Sequence, residues 1–188
     1  MTEAEVKKLM PEIDLIESEE LRARSVACWK QVLELGGWEQ KDLQNAPLAP
    51  GHVAAECPEK GLDHCRRVAR VCQLVWDELG AWANEIGELD HDTLLCGAVL
   101  HDIGKFLEYD LVDGKPCLSE QSKYYSHVVS GAYIAKANGL PDKIVHMILE
   151  HSDMQSPPSA CNYPELMMLK KLDHMCYSIA AMAYPEKK

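Results

Sequence analysis

Six side chains in this chain are of the types that hold metal ions, and their spacing spreads them over five segments. His101 and Asp102 are adjacent, His64 lies 37 positions upstream, and His127, His151 and Asp173 follow at intervals of 26, 24 and 22 residues. Two neighbouring donors at a helix end can reach one ion, and the second carboxylate oxygen is then free for another. A single buried histidine is more often a hydrogen-bonded core residue than a ligand. Carboxylates are harder to dismiss, because an unpaired one inside an apolar core costs several kcal/mol. Few Lys or Arg fall within the apolar stripes that contain Asp102 and Asp173. Metal ions would neutralise both together.

Helices must position these donors. Ser18 followed by Glu19 and Glu20 reads as an N-cap with acids in the first turn, and Gly36-Gly37 as the stop. Residues 38–60 hold Pro47, Pro50, Gly51 and Pro58 and read as a wrapping loop. From 62 to 79, His64, Val68, Val71, Cys72, Val75 and Leu79 recur in steps of three and four, with Gly80 as the expected end. Asp92 is the expected cap of the next helix, 93–102, which is apolar all round and therefore central. Asp113-Gly114-Lys115-Pro116 signals a turn that suits a short hairpin within 108–125. Ser126 is placed to cap a helix ending at Gly139, Pro141 to open one over 141–151, and a final helix covers 165–182. The expected fold is all-α and single-domain, with 1–60 as an N-terminal extension packed on a core of 61–183.

The string His101-Asp102-Ile103-Gly104-Lys105, with His64, His127, His151 and Asp173 in that order, resembles the HD-domain superfamily of metal-dependent phosphohydrolases in its six-ligand, two-metal form. The likeness spans about residues 62–182. It implies an HD-type helical bundle in which His64, His101, Asp102 and Asp173 hold one metal and His127 and His151 the other, with Asp102 bridging. It further implies an enzyme that directs a metal-activated hydroxide at a small phosphoester, a nucleotide being one candidate. Imidazole with carboxylate suits Fe or Mn first, then Zn, Co or Ni, over an all-oxygen Mg site. Asp102 and Lys105 are the candidate catalytic residues. Lys105 would neutralise charge on a substrate phosphate, its alternative being a surface pair with Glu108. Lys123, Ser126 and Ser152 neighbour the ligand positions and are candidates for substrate binding. Gly104 is expected to let the chain turn away beneath the metals. There is no Gly-Tyr-Pro or His-His-Glu string after His127, which fits the cyclic dinucleotide phosphodiesterases poorly, and no Glu-Asp pair follows His101-Asp102 as in the alarmone hydrolases. Two other readings share the ligand set: a di-iron oxygenase that cleaves a C–C or C–P bond, and a non-catalytic metal or ligand sensor.

Composition narrows the partners. A formal charge of −11 argues against a surface that grips a nucleic acid polymer and favours a small phosphorylated substrate. No run of 18 apolar residues suggests a membrane span, and Met1 to Met10 lacks an apolar signal region, so a cytoplasmic setting is expected. Eight cysteines contain no C-x-x-C pair and read as reduced structural thiols. The apolar N-terminal helix offers a homodimer face. Of the other histidines, His52 and His91 are expected in solvated loops, and His174 on a different side of its helix from Asp173. Trp29, Trp76 and Trp82 read as packing residues.

Overall fold

The computed structural model describes residues 1–50, 52–87, 89–112, 115–152 and 162–186. Among the described residues the fold is all-α with one two-stranded antiparallel hairpin. Its helices are α1 (Glu3–Leu9), α2 (Glu19–Leu35), α3 (Gly61–Ile86), α4 (His91–Leu100), the single turn α5 (Lys105–Glu108), α6 (His127–Ala137), α7 (Asp142–Glu150) and α8 (Pro164–Ala183).

Local chemistry sets most of these boundaries. Thr2 and Glu5 form a reciprocal capping box on α1. The Ser18 hydroxyl accepts from the Leu21 amide at 3.3 Å to start α2. Gly37, at φ +67°, and Gly139, at φ +75°, take the left-handed conformation that turns the chain away after α2 and α6. In the hairpin, β1 (Tyr109–Val112) pairs with β2 (Lys115–Leu118), Tyr109 opposite Leu118 and Val112 opposite Lys115. Residues 113 and 114, like the prolines at 157 and 158, lie outside the described residues.

Two expected boundaries move. Asp90, not Asp92, caps α4: its carboxylate accepts from the Thr93 amide at 2.6 Å. Asp92 instead accepts from the Glu17 and Ser18 amides at 2.8 and 2.7 Å, tying the start of α2 to α4. Likewise Gly80 does not end α3, which continues to Ile86. The indole of Trp76 lies over Gly80, where a Cβ would come 3.0 Å from the ring, so this glycine makes room for packing. Trp82 is exposed rather than packed, while His91 is half-buried against Trp76 and contacts Gln73 at 3.0 Å.

Helix α4 is the centre of the molecule. Every residue from Thr93 to Leu100 is buried, and α2, α3, α7 and α8 all pack on it. The N-terminal extension joins that core. Val26, Cys28, Trp29, Val32 and Leu33 of α2 are buried in it. Trp29 donates to the Val99 carbonyl at 3.0 Å and Trp38 to the Phe106 carbonyl at 2.8 Å, and both indoles meet the Phe106 ring edge-on. Glu12, buried before α2, holds Arg66 and Arg70 of α3.

The segment 46–60 forms a strap beside this core. The Ala46 carbonyl accepts from the Gly61 amide at 2.9 Å, Leu48 takes a bond from Lys105, and Ala54 donates to the Tyr184 carbonyl at 2.9 Å. Val53 pairs with Pro185 in an isolated bridge. Among the described residues no helix is long and apolar enough to cross a membrane.

Candidate metal centre

Five of the six expected ligands sit at helix ends, where several helices converge. His64 lies in the first turn of α3, His101 closes α4 with Asp102 beside it, His127 opens α6 and His151 closes α7. Asp173 alone comes from mid-helix, in α8. The structure brings all six together. Asp102 Oδ2 lies 3.5 Å from His101 Nε2 and 3.8 Å from His64 Nε2, and Asp102 Oδ1 lies 3.4 Å from both His127 Nε2 and His151 Nε2. Asp173 Oδ1 is 2.8 Å from His64 Nε2 and 3.7 Å from His101 Nε2. Two ligand triads result: His64, His101 and Asp173, and Asp102, His127 and His151.

Each imidazole aims Nε2 inward because its outer nitrogen is occupied or faces an acceptor. The Ala98 carbonyl takes the Nδ1 proton of His101 at 2.8 Å, and the Ile148 carbonyl that of His151 at 2.8 Å. A carbonyl can only accept, so in each neutral ring the Nε2 lone pair is left bare toward the centre. Behind the other two rings stand carboxylates: Glu59 Oε1 lies 3.8 Å from His64 Nδ1, and Glu108 Oε2 lies 3.3 Å from His127 Nδ1. Neither contact is a hydrogen bond, and the buried His64 Nδ1 and His127 Nδ1 face these carboxylates without one; an outer carboxylate that does bond a metal-ligating histidine orients it and raises its basicity.

The residues fit a pair of divalent transition ions. His101 Nε2 and Asp102 Oδ1 are buried and have no hydrogen-bond partner, a costly arrangement unless a cation takes their lone pairs. Four imidazoles with two carboxylates form a mixed N/O set, which suits Fe, Mn, Zn, Co or Ni better than Mg or Ca. The protein itself shows the strain of the concentrated charge. Burial raises the pKa of Asp102, but Lys105 first and then His101 beside it hold it well below the usual carboxylate range. Burial likewise opposes ionisation of Asp173, and the His64 bond with the charges of His101 and His64 overcomes it. Burial disfavours the imidazolium at His101, yet Asp102 and Asp173 raise its pKa; at His151 burial prevails and the pKa falls.

Lys105 is not paired with Glu108. Its ammonium donates to Asp102 Oδ2 at 2.6 Å and to the Leu48 carbonyl at 2.9 Å. Burial works against that charge, and Asp102 with Asp173 outweighs burial, so its pKa is raised. Gly104 has φ −66°, which any residue adopts, so its requirement is space rather than a turn. A Cβ there would fall 1.9 Å from the His127 carbonyl oxygen and 2.7 Å from the Gly131 amide, so glycine lets α6 approach closely enough to deliver His127.

A cavity of about 320 Å³ opens above the triads. His64, Asp102, His127, His151 and Asp173 contribute to its floor, and Lys105 and Ser152 also line it. Lys123 is exposed and paired with Glu120, and Ser126 occupies the position before α6; neither lines the cavity. Several residues absent from the sequence reading of the site do line it. His52 comes from the strap, and Lys170, His174 and Tyr177 from α8. Cys65 has its sulfur among the donor atoms of His101 and Asp102, although the residue after a helical ligand points about 100° away and gives no sign of this.

The model of the HD domain family matches residues 61–178, and the chain belongs to that family. Ribonuclease Y of Pseudothermotoga lettingae is 38% identical over 96 residues, a stretch covering 51% of this chain and 15% of the relative. The chain thus corresponds to a small part of that protein's length. No solved structure matches the chain significantly.

Proposed function

We propose that this protein is a two-metal phosphohydrolase that cleaves a small phosphoester. One observation carries the reading: Asp102 turns one oxygen to His64 and His101 and the other to His127 and His151. In it, His64, His101, Asp102 and Asp173 hold one ion, and His127, His151 and Asp102 the other. Two such ions, when bound, supply Lewis acidity and lower the pKa of water, which is the chemistry phosphoester hydrolysis needs.

The chain's own residues then bind and orient. Asp102 couples the two triads, and the carbonyl-bound His101 and His151 keep their rings fixed during turnover. The ammonium of Lys105 has three N–H bonds, two of which are used by Asp102 and Leu48. The third is available to a phosphoryl oxygen in the cavity that Lys105 lines. Family membership supports hydrolysis, as does a relative whose name is that of a ribonuclease. The charge of −11 favours a small substrate over RNA. The described cysteines are free thiols, all but Cys117 buried, which suits a reducing cytoplasm.

The test is hydrolysis of a phosphomonoester panel by the manganese-loaded protein under argon. Turnover that is lost in Asp102→Ala supports the assignment. Two irons per chain with oxygen uptake and no hydrolysis would replace it with the oxygenase reading.

A further inference from the structure

Lys105 does not stand alone on its side of the cavity. Tyr109, one helical turn further along the chain, lines the same opening beside Asp102, Lys105 and Glu108. The same residue borders a narrow space under the strap, next to Ala46, Pro47 and Phe106, so its ring is set between the strap and α5. The backbone fixes that place. The Tyr109 amide donates to the Lys105 carbonyl where α5 ends, and the residue then opens β1 opposite Leu118. A side chain on such a junction is held by two elements at once, which suits it to positioning a ligand.

The hydroxyl is the unusual part. Tyr109 is half-buried and packs against the main core, and a tyrosine in that setting normally finds a hydrogen-bond partner. Among the described residues its hydroxyl has none, although it lies close enough to Glu108, Lys105 and Asp102 for their charges to act on it. Burial first and the Glu108 carboxylate second push the phenol up to about 12, so it keeps its proton at neutral pH. Tyr177, the other tyrosine of the cavity, packs instead with Leu48, Val53 and Ala180 in a separate apolar cluster. A neutral O–H donor therefore stands free beside an ammonium that Asp102 already neutralises. Donors fixed in advance around a site where negative charge gathers are the groups that stabilise it there.

We infer that Tyr109 is a substrate-binding residue, whose hydroxyl donates a hydrogen bond to the phosphoryl group beside the remaining N–H of Lys105. This rests on the phosphohydrolase reading and adds to it a second donor. No proton is transferred: the phenol contributes a directed bond and the ammonium contributes charge. A hydrogen bond to an ionised oxygen is roughly twice as strong as a neutral one.

The test is binding of methylphosphonate, which cannot be hydrolysed, to manganese-loaded wild-type protein and to Tyr109→Phe, measured by calorimetry under argon. The variant keeps the ring and its packing and loses the hydroxyl alone. Its affinity for methylphosphonate should fall about tenfold, the scale of one hydrogen bond to a charged group. Azide, which ligates metal but has no phosphoryl oxygen, should bind both proteins within about twofold, and manganese affinity against a chromogenic chelator should be equally unchanged. Equal methylphosphonate affinities would overturn the inference. So would a parallel loss of azide or manganese affinity, because the hydroxyl would then be supporting the metal ligands rather than the substrate. Steady-state kinetics on the phosphomonoester panel separate this inference from the reading beneath it. If no ester is hydrolysed while methylphosphonate binding still depends on the hydroxyl, the phosphohydrolase reading fails and the donor stands. If the wild type hydrolyses an ester and Tyr109→Phe does so with the same kcat/KM, the hydrolase stands and the inference fails.

Discussion

The two ligand triads use the same parts and differ in how those parts are held. Each combines an aspartate, one histidine backed by a helix carbonyl and one backed by a glutamate. In the first triad, however, His64 already bonds Asp173 at 2.8 Å, and Lys105 occupies the Asp102 oxygen that faces it. In the second, His127 and His151 stand evenly at 3.4 Å from Asp102 Oδ1, which has no hydrogen-bond partner. The outer carboxylates differ too. Both oxygens of Glu59 are engaged by Arg67 at 2.9 Å, which spreads its charge away from His64. Glu108 faces His127 at 3.3 Å and is mostly buried. The first triad is partly bonded within the protein and leaves His101 Nε2 unpartnered, whereas the second is organised around an unpartnered Asp102 oxygen.

The residue shared by both triads carries the largest expected effect. Asp102→Ala should reduce phosphoester hydrolysis to the uncatalysed background, measured as kcat/KM on the best substrate of the panel. A less drastic lesion should split the pair. Asp173→Ala and His127→Ala are each expected to lower the metal content by about one ion per chain, and loss of both ions from either variant would show that the triads fill as one unit. Next comes the difference between the outer carboxylates. Removing such a partner costs roughly 10- to 100-fold in metal affinity, so Glu108→Gln should weaken one ion by that amount. Glu59→Gln should cost less, because Arg67 already draws on its charge; competition with a chromogenic chelator reads both.

Gly104→Ala tests the packing that delivers the second triad. Its Cβ would meet backbone, so about 1–3 kcal/mol of stability should be lost, with the His127 ion weakened more than the other. The smallest effect is one of pH on metal-free protein. Asp102 and Asp173 have folded pKa values below their ordinary value of 3.8, so their contribution is full above about pH 4 and is lost as the pH falls below it. Urea unfolding midpoints should drop across that range, and Asp173→Asn should flatten the drop.

Much of this arrangement was legible in the chain because metal ligation restricts residue type. Histidine and aspartate within apolar helical stripes are conspicuous, so the six donors could be picked out before their distances were known. Helix ends were equally plain where one side chain does the work, as at Ser18, Gly37 and Gly139. Boundaries blurred where two residues of one type compete: Asp90 and Asp92 are both capable caps, and only the packing of α2 on α4 assigns the second to Glu17 and Ser18. Glycine at 80 carried a helix-stop signal that the Trp76 ring overrides. The outer carboxylates could not be read at all, since Glu59 and Glu108 are two among 30 acids and acquire their place only when the strap and α5 fold against the histidines. The cavity wall is similar, because His52 comes to line the same cavity as Lys170 and His174 only through the path of the strap.

The shared role of Asp102 is tested most directly by counting metal ions per chain, by mass spectrometry, in wild-type protein and Asp102→Ala after manganese reconstitution and desalting. Two ions are expected in the wild type and fewer than one in the variant, with circular dichroism confirming that the helices remain. Two ions retained by Asp102→Ala, or no more than one bound by the wild type, would contradict it.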